Sequence, residues 1–356
     1  MRVLKAVPPL VVVLALAYLP YVSATVPGVF PDRVNGPGSM QLLATCLTIA
    51  GIALSYDVLF GRTGLLSFGH ALFVAAGSYL LSISMARWGL PLPVAVLVAL
   101  VATTALALVI GAIALRVGGI AFAMVTLAFA QAGAIVVMRN PGDLTGGEEG
   151  RSLNRDAMPD LLVGVSNAPY RYWTALAFVV VAWVVVSRLT RSRAGHAMAA
   201  VRENEPRASV LGIDTYRTKL LAIVVASFLG GLGGIVHALV LGGSNPHLTS
   251  SEFTLSLLVM VVLGGAGSRW GAVIGGFLYT YADSRLVEIS GTSALESLPT
   301  VLRQVLSQPL FILGVLFVLV VYFAPSGLTG VGQQLTRSRR LMRQRMVRNR
   351  PVREGE

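Results

Sequence analysis

The stretch SYDVLFGRTGLLSFGHALFVAAGSY, residues 55–79, combines ionisable and polar side chains with closely spaced glycines. The residues in it that could contact a solute or interrupt a helix are Asp57, Gly61, Gly64, Ser67, Gly69 and His70. Within a membrane, ionisable groups are costly and usually face a water-filled route, beside which glycines let helices break. The pattern is therefore typical of a translocation path. Close helix packing, with His70 bonded to a backbone carbonyl, explains the same residues equally well.

Gln131 is another polar residue in apolar surroundings, inside the run LRVGGIAFAMVTLAFAQAGAIVV at residues 115–137. Its side-chain amide has donors and an acceptor that a dry environment must satisfy. A hydrogen bond to a neighbouring helix would do so, and so would contact with a transported solute. We therefore place Gln131 among the candidate translocation residues, with both roles open.

The chain has no recognisable pattern of catalytic residues. It has no Walker A sequence, no H-E-x-x-H, no nucleophile elbow and no carboxylates clustered around a histidine. Cys46 is the single cysteine and the four histidines are scattered, so neither a disulfide framework nor a metal site is expected. We expect no catalytic residue, cofactor, metal or nucleotide site, and hence no enzyme.

The composition indicates which elements position these residues. Of 356 residues, 55% are hydrophobic and 12% are charged, whereas soluble domains carry about 25% charged residues. Repeated long apolar runs predict an all-α, polytopic transmembrane helical bundle. The net charge of +12 owes much to eight arginines within 337–353, directly after an apolar segment. Such clusters lie against anionic head groups, so we expect contact with the lipid bilayer and none with nucleic acid.

Basic residues predict the orientation of the chain. Apolar runs place spans near 8–24, 40–60, 65–86, 91–115, 118–138, 171–189, 218–243 and 309–324. Because basic loops remain in the cytoplasm, Arg2 and Lys5 place the N-terminus there, and the basic loop at 188–219 lies on the same side. The arginine-rich end places the C-terminus in the cytoplasm too.

The glycine-broken segment at 254–283 decides the number of spans. The loop at 188–219 and the C-terminus are both predicted to lie in the cytoplasm, and the spans at 218–243 and 309–324 already bring the chain out and back. The segment between them therefore crosses the membrane twice or not at all. Two short helices hinged at GAGSRWG give ten spans, and a re-entrant hairpin that opens outward gives eight. We favour about ten, because Arg269 at the hinge then faces the cytoplasm. Nine would follow if residues 1–24 were removed as a signal peptide, but we interpret them as a retained first helix.

The chain divides into a transmembrane domain, residues 1–336, and an arginine-rich cytoplasmic tail, residues 337–356. The domain includes an external loop at 139–170, which is either an ordered functional element or a flexible connector. It also includes a cytoplasmic loop at 190–217.

The cytoplasmic loop is predicted to form two short helices. In RAGHAMAAVRENEP the apolar residues Ala194, Met198 and Val201 share one side, and a second helix starts at Pro206. The second helix ends at Gly212, next to further apolar residues. Such a loop suits a groove on another protein, although an amphipathic segment on the membrane surface is the alternative.

The loop and the span after it, GHAMAAVRENEPRASVLGIDTYRTKLLAIVVASFLGGLGGIVHALVLG, resemble the M-type inner-membrane permeases of branched-chain amino acid ABC importers. Four other stretches also agree with that family: GRTGLLSFGHALFVAAGSY, LRVGGIAFAMVTLAFAQ, LTGGEEG and LLVMVVLGGAGSRWGAVIGG. The resemblance covers roughly residues 40–285. Five separated motifs in the family's order make it specific.

The resemblance implies a permease subunit of an ATP-driven, binding-protein-dependent ABC importer in a bacterial inner membrane. It implies that the cytoplasmic loop docks onto cytoplasmic ATPase subunits and that LTGGEEG faces an external solute-binding protein. A second homologous permease would complete the complex. The coupling residues that follow from it are Arg202, Glu203, Asn204, Glu205, Leu211 and Gly212.

The substrate implied first is a branched-chain amino acid. Similar permeases serve urea, short amides or aromatic acids, which remain alternatives because specificity in such importers resides largely in the binding protein. An ion-coupled secondary transporter would use Asp57, His70 and Gln131 as coupling residues, but it leaves the docking loop unexplained. A non-transporting scaffold leaves the polar residues within the membrane unexplained.

Overall fold

The structure is a computed structural model that describes residues 7–25, 30, 33–290, 308–323 and 327–330. Arg2, Lys5 and the arginine-rich tail, which predict the orientation of both termini, lie outside these residues. The central part of the bundle, with the cytoplasmic and external loops, lies within them.

Helices account for most of the described chain, and the all-α fold class is confirmed. They are α1 Val7–Tyr18, α2 Pro37–Asp57, α3 His70–Trp88, α4 Leu92–Ala114, α5 Ile120–Arg139, α6 Ala168–Arg191, α7 Arg193–Glu203, α8 Glu205–Val210, α9 Thr215–Leu241, α10 Ser251–Gly264, α11 Arg269–Ser290 and α12 Pro309–Phe323. Two short strands, β1 Arg151–Ser152 and β2 Gly243–Ser244, pair antiparallel.

Six of the described helices are long and apolar enough to cross a membrane. They are α2 with its continuation to Thr63, α3, α4, α5, α6 and α9. The other expected crossings fall on α1, α10 and α12, which are shorter, and on α11, which is more polar. Length and composition thus confirm a polytopic helical membrane protein with six candidate spans, but do not confirm about ten.

Proline and glycine set the limits of the central helix. α2 begins at Pro37, where the missing N–H costs nothing because the first helical turn has no acceptor for it. After Asp57 the helix widens into a π-helical segment, Val58–Thr63, which ends at Gly64 with φ 74°. Glycine adopts this left-handed conformation without strain, so the chain can turn toward His70, where α3 begins.

α2 and α9 form the core of the bundle and are the most buried of the six candidate spans. α2 packs against α6, α9, α10 and α11, and α9 also packs against α3 and α4. In contrast, α4 and α5 leave large apolar side chains such as Leu97, Val101 and Ile135 exposed. A helix that is apolar on its exposed face as well as its buried one suits a lipid environment.

Glycines bring α3 and α9 into backbone contact. A Cβ at Gly234 would lie 1.9 Å from the carbonyl oxygen of Val74, and a Cβ at Gly77 would lie 2.1 Å from that of Gly231. Small residues let transmembrane helices approach closely and so gain dispersion attraction. The LGGLGG segment (229–234) therefore packs α9 closely against α3.

α10 and α11 form an antiparallel helical hairpin with its turn at residues 265–268. The residue pairs that meet across it are Gly264–Gly271, Met260–Gly275 and Ser256–Tyr279. A Cβ at Gly264 would lie 1.9 Å from the carbonyl oxygen of Gly271, so the arms touch near the turn. Two helices joined at the GAGSRWG segment are thus present, which agrees with both interpretations of it and does not decide how often it crosses. α11, with 22 residues, is longer than expected.

Loop contacts distinguish two ends of the bundle. At the end predicted to face the cytoplasm, which we call the inner end, the hydroxyl of Tyr216 donates to the carbonyl oxygen of Ala112 at 3.2 Å; the opposite end is called the outer end. At the outer end, β1 from the external loop pairs with β2, which directly follows α9. The loops predicted to lie outside and in the cytoplasm therefore occupy opposite ends.

Candidate functional site

Asp57 is the centre of a buried polar cluster at the inner end. Its side chain is fully buried, and its Oδ2 lies 3.2 Å from Nε of Arg62. The backbone N–H of Gly267, in the hairpin turn, donates to its Oδ1 at 2.6 Å. The guanidinium of Arg202 on α7 donates to the carbonyl oxygen of Gly61. We call Asp57, Gly61, Arg62, Arg202 and Gly267 the inner cluster.

The inner cluster connects α2, the hairpin turn and α7. The π-helical segment matters because its i to i+5 spacing places Arg62 one turn beyond Asp57. The backbones approach closely: a Cβ at Gly61 would lie 1.9 Å from Oδ1 of Asp57, and a Cβ at Gly267 would lie 2.9 Å from the carbonyl oxygen of Gly61. Since a buried charge without its partner is strongly destabilising, Asp57 fixes these elements to one another.

The cytoplasmic loop forms the two helices that the sequence predicts, α7 and α8. Side-chain caps start the helices of this region: Ser192 accepts from the N–H of Gly195, Asn204 from that of Arg207, and Asp214 from that of Arg217. Such caps satisfy N–H groups that lack an intrahelical partner. Met198 and Val201 are buried on one side of α7, as the pattern predicts.

The polar residues of this loop that are predicted to couple to an ATPase make contacts within the protein. Asn204 caps α8, and Glu205 forms an ion pair with Lys219 at the start of α9. Glu203 lines a cavity of about 430 Å³ between α7, the end of α6 and the inner cluster. The guanidinium of Arg202 donates to the carbonyl oxygen of Gly61, in the segment that continues α2.

The apolar end of α8 makes little contact with the rest of the chain. Val210 is 88% exposed and Leu211 is 75% exposed. Gly212 follows with φ 86° and ends the helix. This pair of side chains projects from a capped, well-defined helix, which is the geometry of a contact surface for another protein.

Ser67, Gly69 and His70 lie together at the start of α3, and each is buried. Nε2 of His70 is 2.9 Å from the hydroxyl of Ser55, so its partner is a side chain and not the backbone carbonyl considered above. A Cβ at Gly69 would lie 2.7 Å from the carbonyl oxygen of Thr126 on α5. This segment packs tightly between α2 and α5.

The seven candidate translocation residues are therefore found in three places. Asp57 and Gly61 belong to the inner cluster, and Gly64 lies against the side chain of Arg202. The group that contains His70 lies at the start of α3. Gln131 lies on the exposed face of α5 and has no hydrogen bond to any part of the chain that the structure describes.

A cavity of about 240 Å³ opens between α2, α9 and the hairpin, in the outer half of the bundle. Among its polar lining residues are Thr45, His237, His247, Tyr279 and Asp283. Its apolar lining includes Ile49, Phe253 and Met260. We call it the outer cavity.

A wider cavity of about 960 Å³ lies between α2, the end of α9 and the external loop, and it shares Leu241 with the outer cavity. The loop is held by Asn140, whose Oδ1 accepts from the N–H groups of Thr145 at 2.8 Å and Gly146 at 2.9 Å. Glu148 and Glu149 are exposed next to these contacts. Of the two interpretations of this loop, these contacts favour an ordered element.

Sequence reasoning did not single out Arg62, Gly267, His237 or Asp283. Arg62 stands in a quoted motif, but α-helical spacing does not pair it with Asp57, and only the π-helical turn does. Gly267 reaches Asp57 through the reversal of the hairpin. His237 and Asp283 line one cavity because α9 and α11 both pack against α2, an arrangement for which the sequence carries no local signal.

Comparison with known proteins identifies one family. Residues 39–321 match the sequence model of the family described as branched-chain amino acid transport system / permease component. The matched range contains the inner cluster, the outer cavity and the loop at 190–217, which we call the coupling loop after its predicted role.

Individual relatives are also permeases. LivM of Salmonella typhimurium, a high-affinity branched-chain amino acid transport system permease protein, is 26% identical over 82% of this chain and 70% of its own length. BraD of Pseudomonas aeruginosa, with the same description, is 26% identical over 71% of this chain and 87% of its own. LsrC of Klebsiella pneumoniae, an autoinducer 2 import system permease protein, is 30% identical over 37% of this chain and 40% of its own.

Proposed function

Because the chain belongs to the family of branched-chain amino acid transport system permease components, we propose that it is the membrane permease of an ATP-driven, binding-protein-dependent ABC importer. Its substrate is a branched-chain amino acid, and ATP is hydrolysed by separate cytoplasmic subunits. The observation that carries this proposal is the structure of the coupling loop. Its apolar end is exposed, and α7 joins it to the core of the bundle.

Transmission from the ATPases follows from the inner cluster. ATPase movement would displace α7, and Arg202 on α7 holds the carbonyl of Gly61 at the end of α2. Asp57 in turn holds the turn of the hairpin through Gly267. A conformational change needs an element with different contacts in two states. The hairpin, which joins the inner end to the outer cavity, is that element.

A ten-span topology, with both termini in the cytoplasm of a bacterial inner membrane, agrees with this arrangement. The hairpin turn lies beside α7 at the inner end, whereas α10 begins shortly after β2 at the outer end. Each arm of the hairpin therefore runs between the two ends. Adding α1, α10, α11 and α12 to the six candidate spans gives ten. A re-entrant hairpin would leave the turn within the bundle, away from α7.

A second homologous permease explains the position of Gln131. The face of α5 that carries it is apolar and exposed, with Met124 and Ile135 on the same side. Amide side chains within a membrane hydrogen-bond across helices. The interhelical bond expected of Gln131 is then made to the partner permease.

The direct test is purification of the chain from its native membrane in a mild detergent, followed by mass spectrometry. We expect two ATPase polypeptides and a second permease to accompany it. A chain that purifies alone, even after mild cross-linking at the coupling loop, would contradict the proposal. Uptake that a protonophore abolishes at constant ATP would favour an ion-coupled secondary transporter instead, and uptake of urea or short amides would change the substrate class.

Leu211→Asp is expected to lower the yield of co-purified ATPase by about tenfold or more, since it places a charge in an apolar contact. Leu211 packs against little of its own chain, so the amount of permease in the membrane should not change. The matched control is Val165→Asp, which changes an exposed apolar residue at the outer end. Equal ATPase recovery from both variants would remove the docking assignment.

Charge reversal at Glu148 and Glu149 is expected to raise the concentration of binding protein that supports half-maximal uptake. This half-maximal concentration should also depend less on the salt concentration than it does for the unmodified chain. Exposed charges at the rim of an interface act mainly on association. Asp160→Lys, another charge reversal in the same loop, is the control. The measurement is uptake into proteoliposomes against binding-protein concentration, and identical curves for all variants would exclude this contact.

A further inference from the structure

A buried histidine in the wall of the outer cavity has a ring nitrogen without a hydrogen-bond partner among the described residues. His237 is 7% exposed, and its Nδ1 is buried without a hydrogen-bond partner among the described residues. A buried polar atom without a partner carries a desolvation penalty, so such atoms in a cavity wall usually have a ligand or water to bind. This group is the first indication of an occupant.

Asp283 is the second indication. Its carboxylate lines the cavity from α11 and makes no ion pair or hydrogen bond with the described part of the chain. Asp57, the fully buried carboxylate at the other end of the bundle, is by contrast compensated by Arg62. The imidazole of His247, which lines the same cavity as Asp283, interacts electrostatically with the Asp283 carboxylate, but no lysine or arginine is among the described lining residues. A half-buried carboxylate at membrane depth without such a fixed counter-charge is typical of a functional site.

The remaining lining is apolar. Ile49 of α2, Phe253 and Met260 of α10 contribute hydrocarbon surface below the polar groups. The volume of about 240 Å³ is below the range of roughly 300–1,000 Å³ for drug-sized ligands. It suits a molecule of the size of a single amino acid and not a peptide or a disaccharide.

We propose that the outer cavity is a solute-binding site of the permease itself, which recognises a zwitterionic amino acid. The carboxylate of Asp283 accepts hydrogen bonds from the α-ammonium group, and an N–H of His237 donates to the α-carboxylate. Ile49, Phe253 and Met260 enclose the branched side chain. The inference rests on the proposed function and deepens it, because recognition then occurs in the membrane as well as on the binding protein. Urea and neutral amides lack the charged groups that Asp283 would select.

The test uses cells in which the chain is replaced by its variants, with all other subunits intact and radiolabelled leucine as the probe. Asp283→Asn and His237→Phe are each expected to lower leucine uptake by about tenfold or more, the effect of losing a charge-assisted hydrogen bond. Glu252→Gln removes one charge from the same hairpin at an exposed position that does not line the cavity. It should leave uptake within about twofold of the unmodified chain.

The outcomes separate this inference from the proposed function. Unchanged leucine uptake after deletion of the chain would contradict the proposed function. Uptake that requires the chain but is equal in Asp283→Asn and Glu252→Gln would contradict the solute site alone. Isocaproate, which is leucine without its ammonium group, should compete equally poorly in every variant.

A second measurement covers the case in which Asp283→Asn fails to assemble. The only cysteine, Cys46, is buried, so Ser284→Cys, on the cavity wall, introduces a single thiol open to small reagents. Leucine at millimolar concentration should slow its modification by a membrane-impermeant methanethiosulfonate severalfold, and isocaproate should not. Equal rates with and without leucine would overturn the proposal.

Discussion

Replacing Asp57 by alanine is expected to lower ATP-driven uptake by about a hundredfold or more, while the chain stays in the membrane with its ATPases bound. The change leaves the guanidinium of Arg62, 15% exposed, without its counter-charge and removes the acceptor for the N–H of Gly267. Breaking one side of a buried ion pair costs about 3–5 kcal/mol. This loss falls on the contact between α2 and the hairpin turn and not on the exposed end of α8.

Two related variants separate the ion pair from the hydrogen bond at the hairpin turn. Asp57→Asn keeps an acceptor for Gly267 but loses the charge, and adding Arg62→Gln removes the unpaired guanidinium. Removing both charges is far less costly than removing one, so the double variant should recover most of the uptake that the single variant loses.

Uptake, ATP hydrolysis and ATPase recovery should be measured on the same purified complexes. Normal uptake by Asp57→Ala would show that the inner cluster does not transmit movement. Loss of the ATPases from the complex would instead make Asp57 a residue that maintains the docking surface.

Gly234→Ala is expected to prevent stable assembly of the bundle. The added Cβ would lie 1.9 Å from the carbonyl oxygen of Val74, 2.8 Å from its carbonyl carbon and 3.1 Å from the backbone nitrogen of Ser78. All three are backbone atoms, so no side-chain rotation relieves the clash and α9 must move away from α3. Overpacking costs about 1–3 kcal/mol where side chains can adjust, and we expect the upper end of that range or more here.

The matched control is Gly314→Ala, because Gly314 also lies within a helix but, among the described residues, no atom outside its own helix backbone is within 4 Å of a Cβ built there. The measurement is the monodisperse fraction in detergent as a function of temperature. Gly77→Ala, which would clash with the carbonyl oxygen of Gly231 from the opposite helix, should behave as Gly234→Ala does. Similar thermal stability for Gly234→Ala and Gly314→Ala would show that the close approach of α3 and α9 is not needed.

Much of the fold could be predicted because its signals are local. Long apolar runs predict the candidate spans, and Pro206 and Gly212 indicate the limits of the second cytoplasmic helix. The GAGSRWG segment predicts a hinge, which the structure contains. The number of crossings is less certain from sequence because α10 and α12 are short and α11 carries polar residues, so composition alone does not distinguish them from buried helices.

The candidate site was less accessible to sequence reasoning because it depends on distant contacts. Asp57 and Arg202 each stand out as polar residues beside apolar segments, but nothing in their spacing predicts that Gly61 and Gly267 lie between them. Gln131 and His70 are similar in the sequence as polar residues in apolar runs. Packing places the first on an exposed face and the second in the core, and this difference is decided by which helices surround each of them.

The length of α10 has an electrical consequence. Its 14 residues span about 21 Å, whereas the hydrocarbon core of a bilayer is about 30 Å thick. In the ten-span topology proposed above, with the turn beside α7 at the inner end, its first residue lies below the outer lipid boundary, and water or protein must fill the depression above it. Where water fills it, the membrane voltage falls mainly over the thinner remainder. A solute with net charge would exchange about 2.3 kcal/mol per 100 mV with that field, whereas a zwitterion, which has none, passes without coupling to the voltage.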